Sequence, residues 1–102
     1  MAKYLLLYLS SEASQDQMQQ STPEQMQEEI QKWESWGAEV GERMVDFGNP
    51  TADNDGIGGS YVGGYSIVSA DTAEDLAGLL DGHPHSPFGT IHTVEVTPIP
   101  GM

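Results

Sequence analysis

Cysteine is absent from this 102-residue chain. That excludes a disulfide framework and thiol chemistry, and it fits a reducing, cytoplasmic setting. Cations are almost as scarce. Lys3, Lys32 and Arg43 stand against sixteen acidic residues, for a formal net charge of −13. Binding a nucleic-acid backbone needs clustered cations that displace its counterions, so no nucleic-acid role is expected. Anionic membrane surfaces would repel the chain as well. The acidity reads as solubility rather than as a docking surface for a basic partner. Long apolar runs are missing too. Met1-Ala2-Lys3 followed by Tyr4-Leu5-Leu6-Leu7-Tyr8-Leu9 has the order of a secretory signal, but the run is short and two tyrosines interrupt it. It falls well below the roughly 20 residues that span a bilayer. No membrane association is expected.

Several chemical signatures are also lacking. There is no Gly-x-Ser-x-Gly elbow, no P-loop and no dinucleotide fingerprint. Gly56-Ile57-Gly58-Gly59 does not lead into a helix and makes a poor phosphate cradle. Asp53-Asn54-Asp55-Gly56 resembles part of a calcium loop but lacks its first aspartate and closing glutamate. No cofactor and no metal are expected.

What is present is a sequence of clear elements in a chain long enough for one domain, residues 1–102. A strand over Lys3 to Leu9 places Tyr4, Leu6 and Tyr8 on one face and Leu5, Leu7 and Leu9 on the other. Both faces are apolar, as in a strand covered on both sides. The polar stretch Ser10 to Ser21 reads as a loop. Thr22 is an N-cap, Pro23 suits the first helical position and Gln25 completes a capping box. Met26, Ile30, Trp33, Gly37, Val40 and Met44 then form one apolar stripe, predicting a helix that gives way near Met44. Glu28–Lys32 and Glu39–Arg43 have i,i+4 ion-pair spacing. Gly37 within the stripe implies close approach of the helix to the sheet.

A short strand through Val45-Asp46-Phe47 is followed by a loop from Thr51 to Ser60 and a strand from Tyr61 to Ala70. Gly63-Gly64 inside that strand predicts a bulge or close backbone approach. A second helix starts from Asp71 as N-cap, buries Leu76, Leu79 and Leu80, and ends at Gly82 before Pro84. The last strand covers Thr90 to Thr97. The order β-α-β-β-α-β is the split pattern of ferredoxin-like α+β domains, with both helices on one face of an antiparallel sheet. The other face stays apolar in the first strand, so a homodimer through that face is expected.

The pattern resembles a known family. KYLLLY in the first strand, TPEQMQ and WESWG in the first helix, VDFGNP, GGYSIVSADT, LLDGHPH and the closing IHTVEV are similar to the YCII-related proteins, above all those with a GYSIV strand and a GHP turn. Their order and spacing carry the resemblance over nearly the whole chain. It implies a dimeric α+β barrel with a pocket between sheet and helices in each subunit, and no particular substrate. Some YCII-like proteins carry a proposed catalytic pair, a histidine in the first helix and an aspartate in a DPY turn after the second. Here the first helix has no histidine and the turn reads His83-Pro84-His85. The pair does not carry over.

The remaining chemistry centres on that turn. His83 has two readings: a general base oriented by Asp46, or a cap on the last turn of the second helix. Topology gathers Asp46, Asp81, His85 and His92 near the same end. Trp33 and Trp36, on and beside the helix stripe, read first as core aromatics; in the other reading Trp36 lines a ligand pocket with Tyr8, Tyr65 and His85. Two functions follow. One is a small-molecule-binding or accessory dimer, favoured because no catalytic set is complete. The other is a cofactor-independent lyase or isomerase using His83 as acid or base.

Overall fold

The computed structural model describes residues 2–11, 22–52 and 54–101. Most of the loop read over Ser10 to Ser21, Asp53 of the Asp-Asn-Asp-Gly run, and the two terminal methionines lie outside the described residues. The elements are β1 (Ala2–Ser10), α1 (Pro23–Val40), a 3-10 turn (Gly41–Arg43), β2 (Met44–Asp46), β3 (Tyr61–Ala70), α2 (Ala73–Leu80) and β4 (Gly89–Val96). The sheet is antiparallel throughout, in the order β2-β3-β1-β4. This is the ferredoxin-like arrangement. No described helix is long and apolar enough to cross a membrane.

Local chemistry sets the helix starts. Thr22 Oγ1 accepts from the Gln25 amide and Gln25 Oε1 accepts from the Thr22 amide, a reciprocal capping box. At α2 the cap is Thr72, one residue later than expected, with its hydroxyl accepting from the Asp75 amide at 3.1 Å. The reason is Asp75. Its carboxylate accepts from the Asp71 amide and from Arg43, which fixes it as the third residue of the helix. Arg43 is free to reach it because α1 stops at Val40, short of the expected Met44. The 3-10 turn that follows carries Arg43 away from Glu39 and toward α2. Lys32 likewise pairs with Glu29, not Glu28. β2 begins at Met44, ahead of the expected Val45–Phe47, and β4 spans Gly89–Val96.

The core lies between the sheet and the two helices. Leu6, Tyr8, Val68 and Ala70 meet Trp36 and Val40 from α1 and Leu76 from α2. The stripe read along α1 is only partly buried. Met26 and Ile30 are each 55% exposed, whereas Trp36, outside the stripe, is buried and donates its Nε1–H to the Leu79 carbonyl at 2.8 Å. That bond turns α1 toward α2 and rotates the buried face. Gly37 does admit a close neighbour, but it is the Phe47 ring, 3.0 Å from where a Cβ would sit, and not the sheet itself.

On the other face, register aligns Leu5 with Ile67 and Val94, and Leu7 with Tyr65 and His92. Val94 and Val96 are 42% and 46% exposed. No helix or strand among the described residues covers this face. The bulge expected at Gly63-Gly64 is present: Tyr8 pairs with Gly64 and Leu9 with Val62, leaving Gly63 as the extra residue.

Beyond β2 the chain runs along β3 and turns at Gly48, whose φ of 87° favours glycine. A Cβ there would sit 1.6 Å from the Tyr65 carbonyl oxygen. Gly82, at φ 69°, has open space around it. Gly82→Ala is therefore expected to cost about 1 kcal/mol through its backbone conformation alone. Gly48→Ala is expected to cost more than about 2 kcal/mol, because main chain must also move. Urea denaturation of the two variants checks this, and equal losses would contradict it.

Candidate functional site

The turn after α2 builds the site. Gly82 reverses the chain, the His83 amide donates to the Leu80 carbonyl at 3.1 Å, and the His83 side chain is carried inward until it is 1% exposed. The main chain, not the ring, closes the end of the helix. The ring packs among Trp36, Trp33 and Tyr8, with centroids 4.2, 4.8 and 5.0 Å away.

Its hydrogen bonds fix its tautomer. The His85 amide donates to His83 Nδ1 at 2.9 Å, so in the neutral ring Nε2 carries the proton and donates to the Tyr8 hydroxyl at 3.2 Å. Tyr8 donates to Ser66 Oγ at 2.7 Å, and Ser66 donates to the Phe47 carbonyl at 2.6 Å. The result is one directional line from the turn, through β1 and β3, to the chain just after β2. Burial, the larger cause, and neighbouring His85 push the His83 imidazole down to about 4. Burial pushes the Tyr8 hydroxyl up to about 12, with the Ser66 bond opposing.

Asp46 does not join this line. Its carboxylate accepts from the Gly48 amide at 2.8 Å, and its strand position is level with Ile67, away from the turn. The orienting role read for it falls instead to the His85 amide and Tyr8. His92 pairs with Leu7 and stands exposed on the opposite sheet face, outside the cluster expected at one end. No group of three or more His, Asp, Glu or Cys residues suited to a metal ion occurs among the described residues.

His85 is the second buried ring, 6% exposed. Its Nε2 lies 2.8 Å from the Leu9 carbonyl. A carbonyl only accepts, so Nε2 is the protonated nitrogen. Beside it opens a cavity of about 420 Å³ lined by Tyr8, Ser10, Trp33 and His85 and, at exposed positions, by Ile30, Glu34, Phe47, Asn49 and Pro50. Of the residues read as pocket lining, Tyr8 and His85 face it. Tyr65 borders it, but its register with Leu7 turns its side chain to the far sheet face, so it contributes main chain. Trp36 lies behind, against a separate shallow depression with Gly82 and Pro84. Sequence reasoning missed Ser10, Phe47, Asn49 and Pro50 as wall residues. The strand-ending run Gly48-Asn49-Pro50 was the available signal, since a segment that leaves β2 and still tracks β3 must border whatever lies over the sheet.

No protein-family model matches the chain, and no curated protein matches it. Among solved structures it is similar to 5-chloro-2-hydroxyhydroquinone dehydrochlorinase (TftG) from Burkholderia phenoliruptrix AC1100 in complex with 2,5-dihydroxybenzoquinone. The TM-score is 0.59 at 12% identity, over 93% of each chain. At that identity the similarity establishes the shared fold alone.

The buried imidazole predicts a pH effect. His83 gains its proton near 6.5 when unfolded and near 4 when folded. Between those values the unfolded chain binds more protons, so stability present above pH 6.5 is lost as pH falls toward 4 and then levels off. The contribution is on the order of 3 kcal/mol. Denaturation of the wild type and of His83→Gln from pH 7 to 4 should show the variant lacking one proton's worth of slope. Identical slopes would contradict this, as would an NMR signature of a charged His83 ring at pH 5.5.

Proposed function

We propose that this chain is a small-molecule-binding or accessory protein of YCII-like type that works as a cytoplasmic homodimer. One observation carries the reading: the cavity beside His85. Its volume of about 420 Å³ falls in the range of small-molecule sites, and its walls are mainly apolar with a few polar groups, the usual makeup of such sites. Support also comes from the shared fold, since the dehydrochlorinase holds a substituted quinone on the same architecture. The net charge of −13 disfavours anionic ligands and keeps nucleic acids outside the reading. The absence of cysteine and the acidity suit the cytoplasm.

The alternative, a cofactor-independent lyase or isomerase with His83 as acid or base, meets a physical objection. The one accepting nitrogen of His83 is taken by a backbone amide, and its proton affinity is lowered. Using it as a base would break the turn. An enzymatic reading therefore needs a different proton acceptor.

The dimer reading rests on the uncovered sheet face, where Leu5, Leu7, Ile67, Val94 and Val96 gather. Burying one such side chain contributes roughly 2 kcal/mol, and an isologous contact doubles every term.

Two outcomes are expected. In a thermal-shift screen, neutral aromatic compounds should raise the melting temperature, by the equivalent of about 2.7 kcal/mol at a hundredfold excess over Kd. A screen without any stabilising compound would remove the binding role. Sedimentation equilibrium at micromolar concentration should find a dimer, and Leu7→Glu should yield monomer or aggregate. A wild-type monomer would remove the dimer.

A further inference from the structure

His85 is held at every polar atom but one. Its amide donates to His83 Nδ1 at 2.9 Å, and its carbonyl accepts from the Phe88 and Gly89 amides at 2.8 and 3.2 Å. Its Nε2–H donates to the Leu9 carbonyl at 2.8 Å. Nδ1 alone has no hydrogen-bond partner among the described residues. In the neutral ring that atom is a lone-pair acceptor. The ring that carries it is buried, fixed in orientation by the Leu9 carbonyl, and part of the cavity wall.

A second observation at the same wall points the same way. Ser10 is 2% exposed, borders the cavity, and its Oγ is buried without a hydrogen-bond partner. A buried polar group left unpaired costs about 1–3 kcal/mol, so Ser10 Oγ beside the unengaged Nδ1 of His85 marks a place where something else completes the wall. The rest of the wall narrows what that is. Trp33 and Phe47 offer ring surface, while Glu34 adds a negative charge that opposes anions.

We infer that the cavity recognises an uncharged, largely apolar ligand through a hydroxyl or N–H donor delivered to Nδ1 of His85. Ser10 Oγ is the second polar contact, and the ligand's apolar body lies against Trp33 and Phe47. His83 takes no part in this contact, because both of its ring nitrogens are already engaged. This inference rests on the binding role proposed above and assigns its polar recognition point. His85 acts here as a specificity-determining residue.

The test compares 2-naphthol with 2-methoxynaphthalene, the same ring system with the donor removed, and with 2-naphthoate. Binding of each to the full chain is measured at pH 7.5 by titration calorimetry and NMR. A site built around an acceptor should favour the naphthol over its methyl ether by about tenfold or more. Naphthoate should bind more weakly than either. The His85 Nδ1 resonance should move with naphthol and stay with the ether. His85→Phe should bring naphthol and ether to within about twofold of each other, with ether binding retained. His85→Gln, which keeps a donor and an acceptor, should restore part of the preference. Equal wild-type affinity for naphthol and ether overturns the inference while leaving the cavity a binding site. Failure of all three probes to bind at millimolar concentration overturns the binding role itself. The wild-type comparison decides the matter even if a variant does not fold.

Discussion

The Tyr8 hydroxyl is the joint on which the rest of this structure depends. It accepts the Nε2–H of His83 and donates its own O–H to Ser66, which donates in turn to the Phe47 carbonyl. In one stroke it ties the turn after α2, the central strand β1, its neighbour β3 and the chain leaving β2. Each atom in that line is buried or partly so, and each would be costly unpaired. Bonds in such a line also polarise one another when they run the same way. The aromatic rings around His83 keep water from competing. A small domain with few charges inside thus secures its layers with one directed polar line through an otherwise apolar core.

That line also explains where a ligand site can exist. Because Phe47 is anchored through its carbonyl, its ring is left over the sheet, beside Gly37 of α1. The Gly48 turn then lays Asn49 and Pro50 along β3, and the cavity is the space between this segment, α1 and the end of β1. The turn at the other side supplies two histidines with different duties. His83 is spent on structure. His85, two residues on, has one ring nitrogen that forms no hydrogen bond among the described residues.

Much of the fold was legible in the sequence. The capping box at Thr22, the bulge at Gly63 and the reversal at Gly82 follow from residue chemistry acting over a few positions. The two-faced apolarity of β1 gave the sheet its place for the same reason. What failed were inferences that needed a distant partner. The end of α1 could not be read without knowing that Arg43 meets Asp75 from α2, and the cap at Thr72 depends on that same carboxylate. Trp36 lay outside the periodic stripe, yet its indole proton finds the Leu79 carbonyl across the interface. The site shows the same divide. His83 stood out as unusual, but its tautomer and its distance from Asp46 are decided by Tyr8 and the His85 amide. The pocket wall from Phe47 to Pro50 depends on the anchoring of a carbonyl by Ser66, which no local pattern announces.

The direction of the buried line bears on how such a sequence can drift over time. Replacing one of Tyr8, Ser66 and His83 by an apolar residue strands whatever it was bonded to in a dry interior, and for Tyr8 that is both of the others. Replacing all of them with apolar groups of matched shape removes both partners of each side-chain bond and leaves only the two main-chain ends of the line, the His85 amide and the Phe47 carbonyl, to find new partners; exchanges that remove both partners of a bond are often close to neutral. The sequence space around this protein is therefore expected to hold two separated neighbourhoods, one with the full polar set and one with none of it. Relatives that lack the histidine should lack the tyrosine hydroxyl and the serine with it, so the three positions change as a unit while the rings around them vary freely.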